Sequence, residues 1–166
     1  MSLRPFFEAS LAIQIHEIAA ISALLLGGVV LWRRKGNASH KRWGKIWVGL
    51  MLVTALSSVF IHEIRMWGNY SPIHLLTLLT LVSMPMAVYY ARRGNIVAHR
   101  QTMQGTYLGG MIVAGGLTLI PGRLNFEILF GASDGLGGMW GSAIGIGSAI
   151  LVFIALVMYD KRARSV

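Results

Sequence analysis

Long apolar segments, separated by short polar stretches, run through the whole chain. Five of them have the length, about 20 residues, that an α-helix needs to cross a bilayer. These five segments cover residues 11–32, 44–64, 73–91, 103–121 and 137–159. None alternates apolar and polar residues as a half-buried β-strand does, so all five are predicted to be helices. The pattern predicts an all-α, polytopic membrane helical bundle that forms one domain of 166 residues.

The first four segments follow one pattern twice. His16 lies 20 positions before Gly36, and His74 lies 20 positions before Gly94. An Asn follows each Gly, and a His followed by a basic residue comes shortly after it. We interpret this as a duplicated helical hairpin with a pseudo-twofold axis along the membrane normal. The predicted parts are repeat 1 at 11–65, repeat 2 at 71–123, and a fifth, Gly-rich helix at 137–159.

Basic residues predict the orientation of the chain. Most of the 15 Lys and Arg residues fall in the loop after the first segment, the loop after the third, and the tail. Positive charge collects on the cytoplasmic side, so the N-terminus is predicted to be outside and the C-terminus inside a bacterial inner membrane. The net charge of +9 therefore does not indicate a nucleic-acid partner, because anionic lipid headgroups can balance the basic residues on the inner side. The inner basic residues are Arg33, Arg34, Lys35, Lys41, Arg42, Lys45, Arg92, Arg93, Arg100, Lys161, Arg162 and Arg164.

Aromatic residues fall near the predicted ends of the segments. Trp and Tyr concentrate at membrane interfaces, so these residues are predicted to form an interfacial belt. The belt comprises Trp32, Trp43, Trp47, Trp67, Tyr70, Tyr89, Tyr90 and Tyr159.

Three histidines fall near the outer ends of their segments. They are His16, His62 and His74, and Glu17 and Glu63 follow the first two. Ionisable groups inside a membrane segment are costly, so each one is a candidate for function. One hypothesis is a Zn or Cu site on the three histidines, with either glutamate as a further ligand or in support. Another is that histidines and glutamates only satisfy each other at the membrane surface.

A third hypothesis is a b-type haem between His16 and His74. The repeat makes these two residues equivalent, and two imidazoles from opposite helices of a bundle can ligate one haem iron. Ala20, Ala23 and Gly27 follow His16 on one helix face and would make room for the porphyrin. Cysteine is absent from the sequence, which excludes iron–sulfur clusters and c-type attachment. The predicted function is an electron carrier that exchanges electrons with quinone or a periplasmic partner.

His40 and His99 are also equivalent in the repeat, and both fall on the predicted inner side. They could hold a second haem. A rise of about 1.5 Å per residue, however, puts the turns roughly 30 Å from His16, at the water interface. The alternative is therefore that both residues are anchors that face lipid headgroups or polar residues at helix starts.

Glycines spaced four apart mark the fourth and fifth segments. They are Gly105 and Gly109 in the fourth, and Gly137, Gly141 and Gly145 in the fifth. Such spacing makes a flat helix face that permits close helix packing. The face can serve packing within the chain, a homo-oligomer, another membrane protein, or a planar cofactor. The alternative function is accordingly a non-catalytic membrane scaffold or accessory subunit.

Several stretches carry a family resemblance. They are SPIHLLTLLTLVSMPMAVYYARRGN, the following HR, MQGTYLGGMIVAGGLTLIPGR and the earlier SHKRWGKIWVGLM. Over about residues 10–125 the chain resembles the bacterial integral membrane proteins of the domain of unknown function 2306 family. The resemblance implies a small inner-membrane helical bundle and no particular activity. A looser likeness is to two-haem cytochromes of the b561 type, in which His16 with His74 and His40 with His99 would match the haem-binding pairs.

Overall fold

The computed structural model describes residues 3–61, 72–119 and 122–130, and four single positions further on, 143, 147, 150 and 154. Within these residues every element is helical. The helices are α1 (Arg4–Glu8), α2 (Leu11–Trp32), α3 (Ala38–Ser58), α4 (Pro72–Arg92), α5 (Ile96–Thr106), a π-helical segment (Tyr107–Val113), α6 (Ala114–Leu117) and α7 (Leu124–Phe130).

The predicted all-α class is confirmed for the described part of the chain. Of the predicted helix at 137–159, the structure describes only four separate positions, which are helical. The number of membrane spans, the duplication and the orientation stay predictions.

The chain divides into two compact units, residues 10–111, and residues 1–9 together with 112–166. In the first unit α2 packs on α3, α3 on α4, and α4 on α5. In the second unit α1 contacts α7, and the buried ring of Phe126 lies 5.0 Å from that of Phe130. The candidate site lies in the first unit.

The two Gly-Asn turns have the same construction. Gly36 and Gly94 have φ angles of 86° and 75°, a left-handed backbone that glycine adopts without steric cost. The side chains of Asn37 and Asn95 each accept the backbone N–H three positions further on, which caps the helix that follows. Each turn therefore ends one helix and starts the next within a few residues.

Residue size separates the two faces of α2. Its buried residues are small or medium-sized: Ala19, Ala23, Gly27 and Val30. Large apolar residues point away from the rest of the unit, and Leu25 is 67% exposed. This arrangement lets the neighbouring helix approach closely, as it does in bundles that are surrounded by lipid.

Threonine and serine hydroxyls line the interior of the first unit. Thr54 and Thr80 are both buried, and each hydroxyl donates to the carbonyl four residues back, at 2.9 Å. Such bonds satisfy the polar atom within its own helix. Polar side chains can thus be buried here without a partner on another helix.

Candidate functional site

Two aromatic side chains converge on α2 at Gly27. Trp47 Nε1 donates a hydrogen bond of 2.9 Å to the carbonyl of Ala23. The hydroxyl of Tyr107 donates one of 3.0 Å to the carbonyl of Leu24. The two ring centroids are 6.2 Å apart. We call these residues, Gly27, Trp47 and Tyr107, the aromatic cluster. It ties α3 and the π-helical segment to the same turn of α2.

The aromatic cluster corrects two sequence-based predictions. A β-carbon at Gly27 would lie 2.5 Å from Trp47 Nε1 and 2.6 Å from the ring of Tyr107. These rings therefore leave no room for a porphyrin beside Gly27. Trp47 is only 2% exposed and does not belong to an interfacial belt. The signal in the sequence is that Trp47 and Tyr107 occupy matching positions of the two repeats, each two residues before a Gly and four before a Met.

Other residues of the predicted belt lie near helix ends. Trp32 at the end of α2, Trp43 near the start of α3 and Tyr89 near the end of α4 are all exposed. Tyr90 is half-buried. Trp67, Tyr70 and Tyr159 lie outside the described residues.

His16 is held by one of its two ring nitrogens. Nδ1 lies 2.9 Å from the carbonyl oxygen of Thr54 and 3.2 Å from the hydroxyl of Ser57. A carbonyl oxygen can only accept, so Nδ1 carries the proton. In the neutral imidazole, Nε2 therefore presents its lone pair. This arrangement is common in metal-binding histidines, because a bond at one nitrogen orients the other.

His74 lies in the first turns of α4, three residues before Thr77. The hydroxyl of Thr77 is 2.7 Å from that of Ser58 on α3. Ser57, the residue before Ser58, contacts His16. One short stretch of α3 therefore contacts α2 close to His16 and α4 close to His74.

The predicted Zn or Cu site stays a prediction. His62 and Glu63 lie outside the described residues. Within the described ranges, no three residues of His, Asp or Glu are grouped so that they could hold a metal ion. His16, His74 and Glu17 alone therefore do not form such a site.

Both inner histidines lie in the first turn of a helix, His40 in α3 and His99 in α5. Nδ1 of His99 donates a hydrogen bond of 2.9 Å to the carbonyl of Ala87, so His99 connects α5 to α4. Burial lowers the pKa of His40 below its ordinary value of 6.5, and the nearby positive charges of His99 and Lys35 lower it further. His99 was predicted to be a surface anchor or a polar residue at a helix start. It lies in the first turn of α5, where it is half-buried and links two helices.

The lowered pKa of His40 predicts how stability depends on pH. Below pH 6.5 the unfolded chain protonates this imidazole before the folded protein does, so the free energy of unfolding falls as the pH falls from 6.5 through the folded pKa. Denaturation in detergent at a series of pH values should show this loss, and His40→Gln should reduce it. Lys41→Gln, which keeps the imidazole, serves as the control. Equal pH slopes in the wild type and His40→Gln would contradict the assignment.

A groove of about 320 Å³ lies between α4 and the helix formed by α5 and the π-helical segment. Threonines and glycines alternate only on the wall that α5 and the π-helical segment form. A π-helical turn is often found at a functional site. A β-carbon at Gly105 or Gly109 would meet no described atom within 4 Å. The lining residues are Leu76, Leu79, Thr80, Ser83, Thr102, Gly105, Thr106, Gly109 and Gly110.

Two helices in the described part of the chain are long and apolar enough to cross a membrane. They are Leu11–Trp32 and His74–Arg92. In each helix, only 22% of an apolar stretch of 18 residues is buried. The core helix of a soluble protein would be mostly buried. Instead, large apolar side chains such as Ile18 and Leu78 are 60% and 59% exposed. Exposed apolar surface of this extent favours contact with lipid.

The fold and its apolar surface thus define a helical membrane protein. A family model described as "Predicted membrane protein (DUF2306)" matches residues 13–134. The chain belongs to this family, as the sequence resemblance predicted. No curated protein and no solved structure matches the chain.

Proposed function

We propose that this membrane protein binds a haem b between His16 and His74 and carries electrons. The observation that carries this proposal is the hydrogen bond from Nδ1 of His16 to the Thr54 carbonyl, at 2.9 Å. It fixes the tautomer and leaves Nε2 with the lone pair that a haem iron needs. In the described part of the chain, Nε2 of His16 makes no hydrogen bond.

Small buried residues lie next to His16, which supports the proposal. Thr54 and Ser57 on α3 contact its imidazole, Ala19 lies three residues further along α2, and all three are buried. Small residues let a planar group approach the helix backbones. The aromatic cluster fills the bundle further along α2, so the haem would sit at the end of the bundle where His16 and His74 lie.

Bound haem supplies one-electron redox chemistry. His16 and His74 would hold the iron, and the hydrogen bond to the Thr54 carbonyl would keep the His16 imidazole oriented for this role. We place the chain in the bacterial inner membrane, with several spans and the N-terminus outside. Quinone in the bilayer or a periplasmic protein would be the redox partner.

An absorption spectrum tests the proposal directly. Protein purified from a haem-replete host should show the reduced-minus-oxidised alpha band of a b-type haem. His16→Ala should abolish this band because it removes one of the two residues that would hold the haem. His99→Ala is the matched control, since His99 also bonds a backbone carbonyl through Nδ1 but lies in the inner pair. A wild-type protein that stays colourless after haem addition would rule out the carrier.

The groove between α4 and α5 favours a second candidate, a non-catalytic scaffold or accessory subunit. A groove of about 320 Å³ with glycines on one wall can admit a helix of another membrane protein or of a second copy. Gly109→Leu would fill it, whereas Gly49→Leu adds the same side chain at an exposed position of α3 with open space around it. A partner that co-purifies with the wild type and is lost only from Gly109→Leu, without any bound haem, would favour the scaffold.

A further inference from the structure

A small hollow lies where α2 ends and α3 begins. Two arginines, a serine, a histidine and a tryptophan are among the residues that border it. Its volume, about 10 Å³ for the centre of a water-sized sphere, is enough for one water or one oxygen of a larger group. The lining residues are Val30, Arg33, Arg34, Ser39, His40 and Trp43.

The polar residues that border the hollow offer hydrogen-bond donors to an acceptor. Nδ1 of His40 is buried and has no hydrogen-bond partner in the described part of the chain. A buried polar atom without a partner costs free energy. The guanidinium groups of Arg33 and Arg34 have only donors to offer, and Nδ1 is also a donor when it carries the proton. An oxygen atom that accepts hydrogen bonds would give Nδ1 of His40 a partner and would also suit the two neighbouring guanidinium groups.

Charge then distinguishes between the possible oxygens. Arg33 and Arg34 border the hollow directly, and the charge of Lys35 is close enough to act on His40. Among the residues that line the hollow, none carries a carboxylate to offset these cations. An anionic oxygen therefore gains more here than the oxygen of a neutral water, because hydrogen bonds between charged partners are the stronger ones.

We propose that the hollow binds one anionic oxygen of a phosphate group, and that the rest of this group stays outside. Guanidinium suits phosphate, which it can contact through two parallel hydrogen bonds. We infer that the phosphate belongs to a phospholipid headgroup. Trp43 borders the hollow and is 42% exposed, and Trp residues of this kind lie at the headgroup level of a membrane. The proposal is independent of haem binding at His16.

Titration with a short-chain phosphatidylglycerol tests the site in the full-length protein in detergent. Binding can be followed by native mass spectrometry. The double variant Arg33→Gln/Arg34→Gln should weaken binding roughly tenfold or more, because it removes two charge-assisted hydrogen-bond donors. The control, Lys41→Gln/Arg42→Gln, removes the same number of positive charges. Both control residues lie at the start of α3, are exposed and do not line the hollow. The control variant should weaken binding much less.

The outcomes separate the sources of the phosphate and the alternatives to it. The same titration with inorganic phosphate should show weaker binding than the lipid does. Inorganic phosphate that binds as tightly, with the same sensitivity to the Arg33/Arg34 variant, would support the phosphate site and assign it to the free anion. If both double variants lost the same lipid affinity, general charge attraction would explain the binding, and the proposal would be overturned. Unchanged lipid binding in the Arg33/Arg34 variant would also overturn the proposal. A water molecule would then be the occupant of the hollow.

Discussion

Replacement of Gly27 by Ala is expected to destabilise the protein by about 2–4 kcal/mol. The added β-carbon would lie 2.5 Å from Trp47 Nε1 and 2.6 Å from the Tyr107 ring, closer than van der Waals contact allows. Both rings are buried and hydrogen-bonded to α2, so neither can move aside without losing its bond. The loss is measured as the free energy of unfolding in detergent micelles.

Gly49→Ala is the matched control. Gly49 also lies within a helix, but a β-carbon there meets no described atom within 4 Å. Alanine favours a helix over glycine by roughly 1 kcal/mol, so this variant should be neutral or slightly stabilising. If Gly27→Ala proved as stable as Gly49→Ala, the close approach of the two rings to α2 would be wrong.

Trp47→Ala is expected to cost about 3–5 kcal/mol, the range for removal of a large aromatic side chain from a core. Trp47 is among the largest fully buried side chains. Its loss opens a cavity beside Gly27 and leaves the Ala23 carbonyl without the indole donor. Trp47→Phe keeps most of the ring volume and should cost less, mainly through the missing hydrogen bond. Thermal or chemical unfolding in detergent distinguishes these variants.

Trp43 provides the comparison within the same helix. It lies one turn earlier in α3 and is 42% exposed, so Trp43→Ala should change stability by much less than Trp47→Ala. If the two alanine variants lost the same free energy of unfolding, Trp47 would be an interfacial residue after all. The test therefore decides between the belt that the sequence predicts and the buried position that the structure shows.

Hydropathy predicted where the helices lie better than where they begin. Helix α2 and the predicted segment 11–32 coincide, and α4 differs from 73–91 by one residue at each end. Helix α3 instead begins at Ala38, six residues before the apolar segment, and α5 begins at Ile96. In both cases an Asn cap directly after a left-handed Gly starts the helix. Local hydrogen bonding therefore decides these boundaries, and an apolar window does not detect it.

The candidate site was predictable only in part. His16 could be singled out because an ionisable residue inside an apolar segment is rare. Its bond to the Thr54 carbonyl could not be predicted, because it joins residues 38 positions apart on different helices. The same holds for Tyr107, whose hydroxyl reaches a carbonyl 83 positions away. A Gly in one segment and matched aromatic residues in others suggest a contact, but only tertiary packing decides which atoms meet.

The inner face of α2 carries small side chains and its outer face carries large ones, which has a consequence for sequence variation. Ala23 faces inward and is fully buried, while Leu25 faces outward and is largely exposed, although both are apolar. An exchange of Leu25 for Ile or Val preserves its fit to acyl chains. An exchange of Ala23 for Leu would preserve apolarity equally well and yet force α2 and α3 apart. On this helix, tolerance to substitution follows the space available to a side chain, and hydrophobicity scales would not detect the difference.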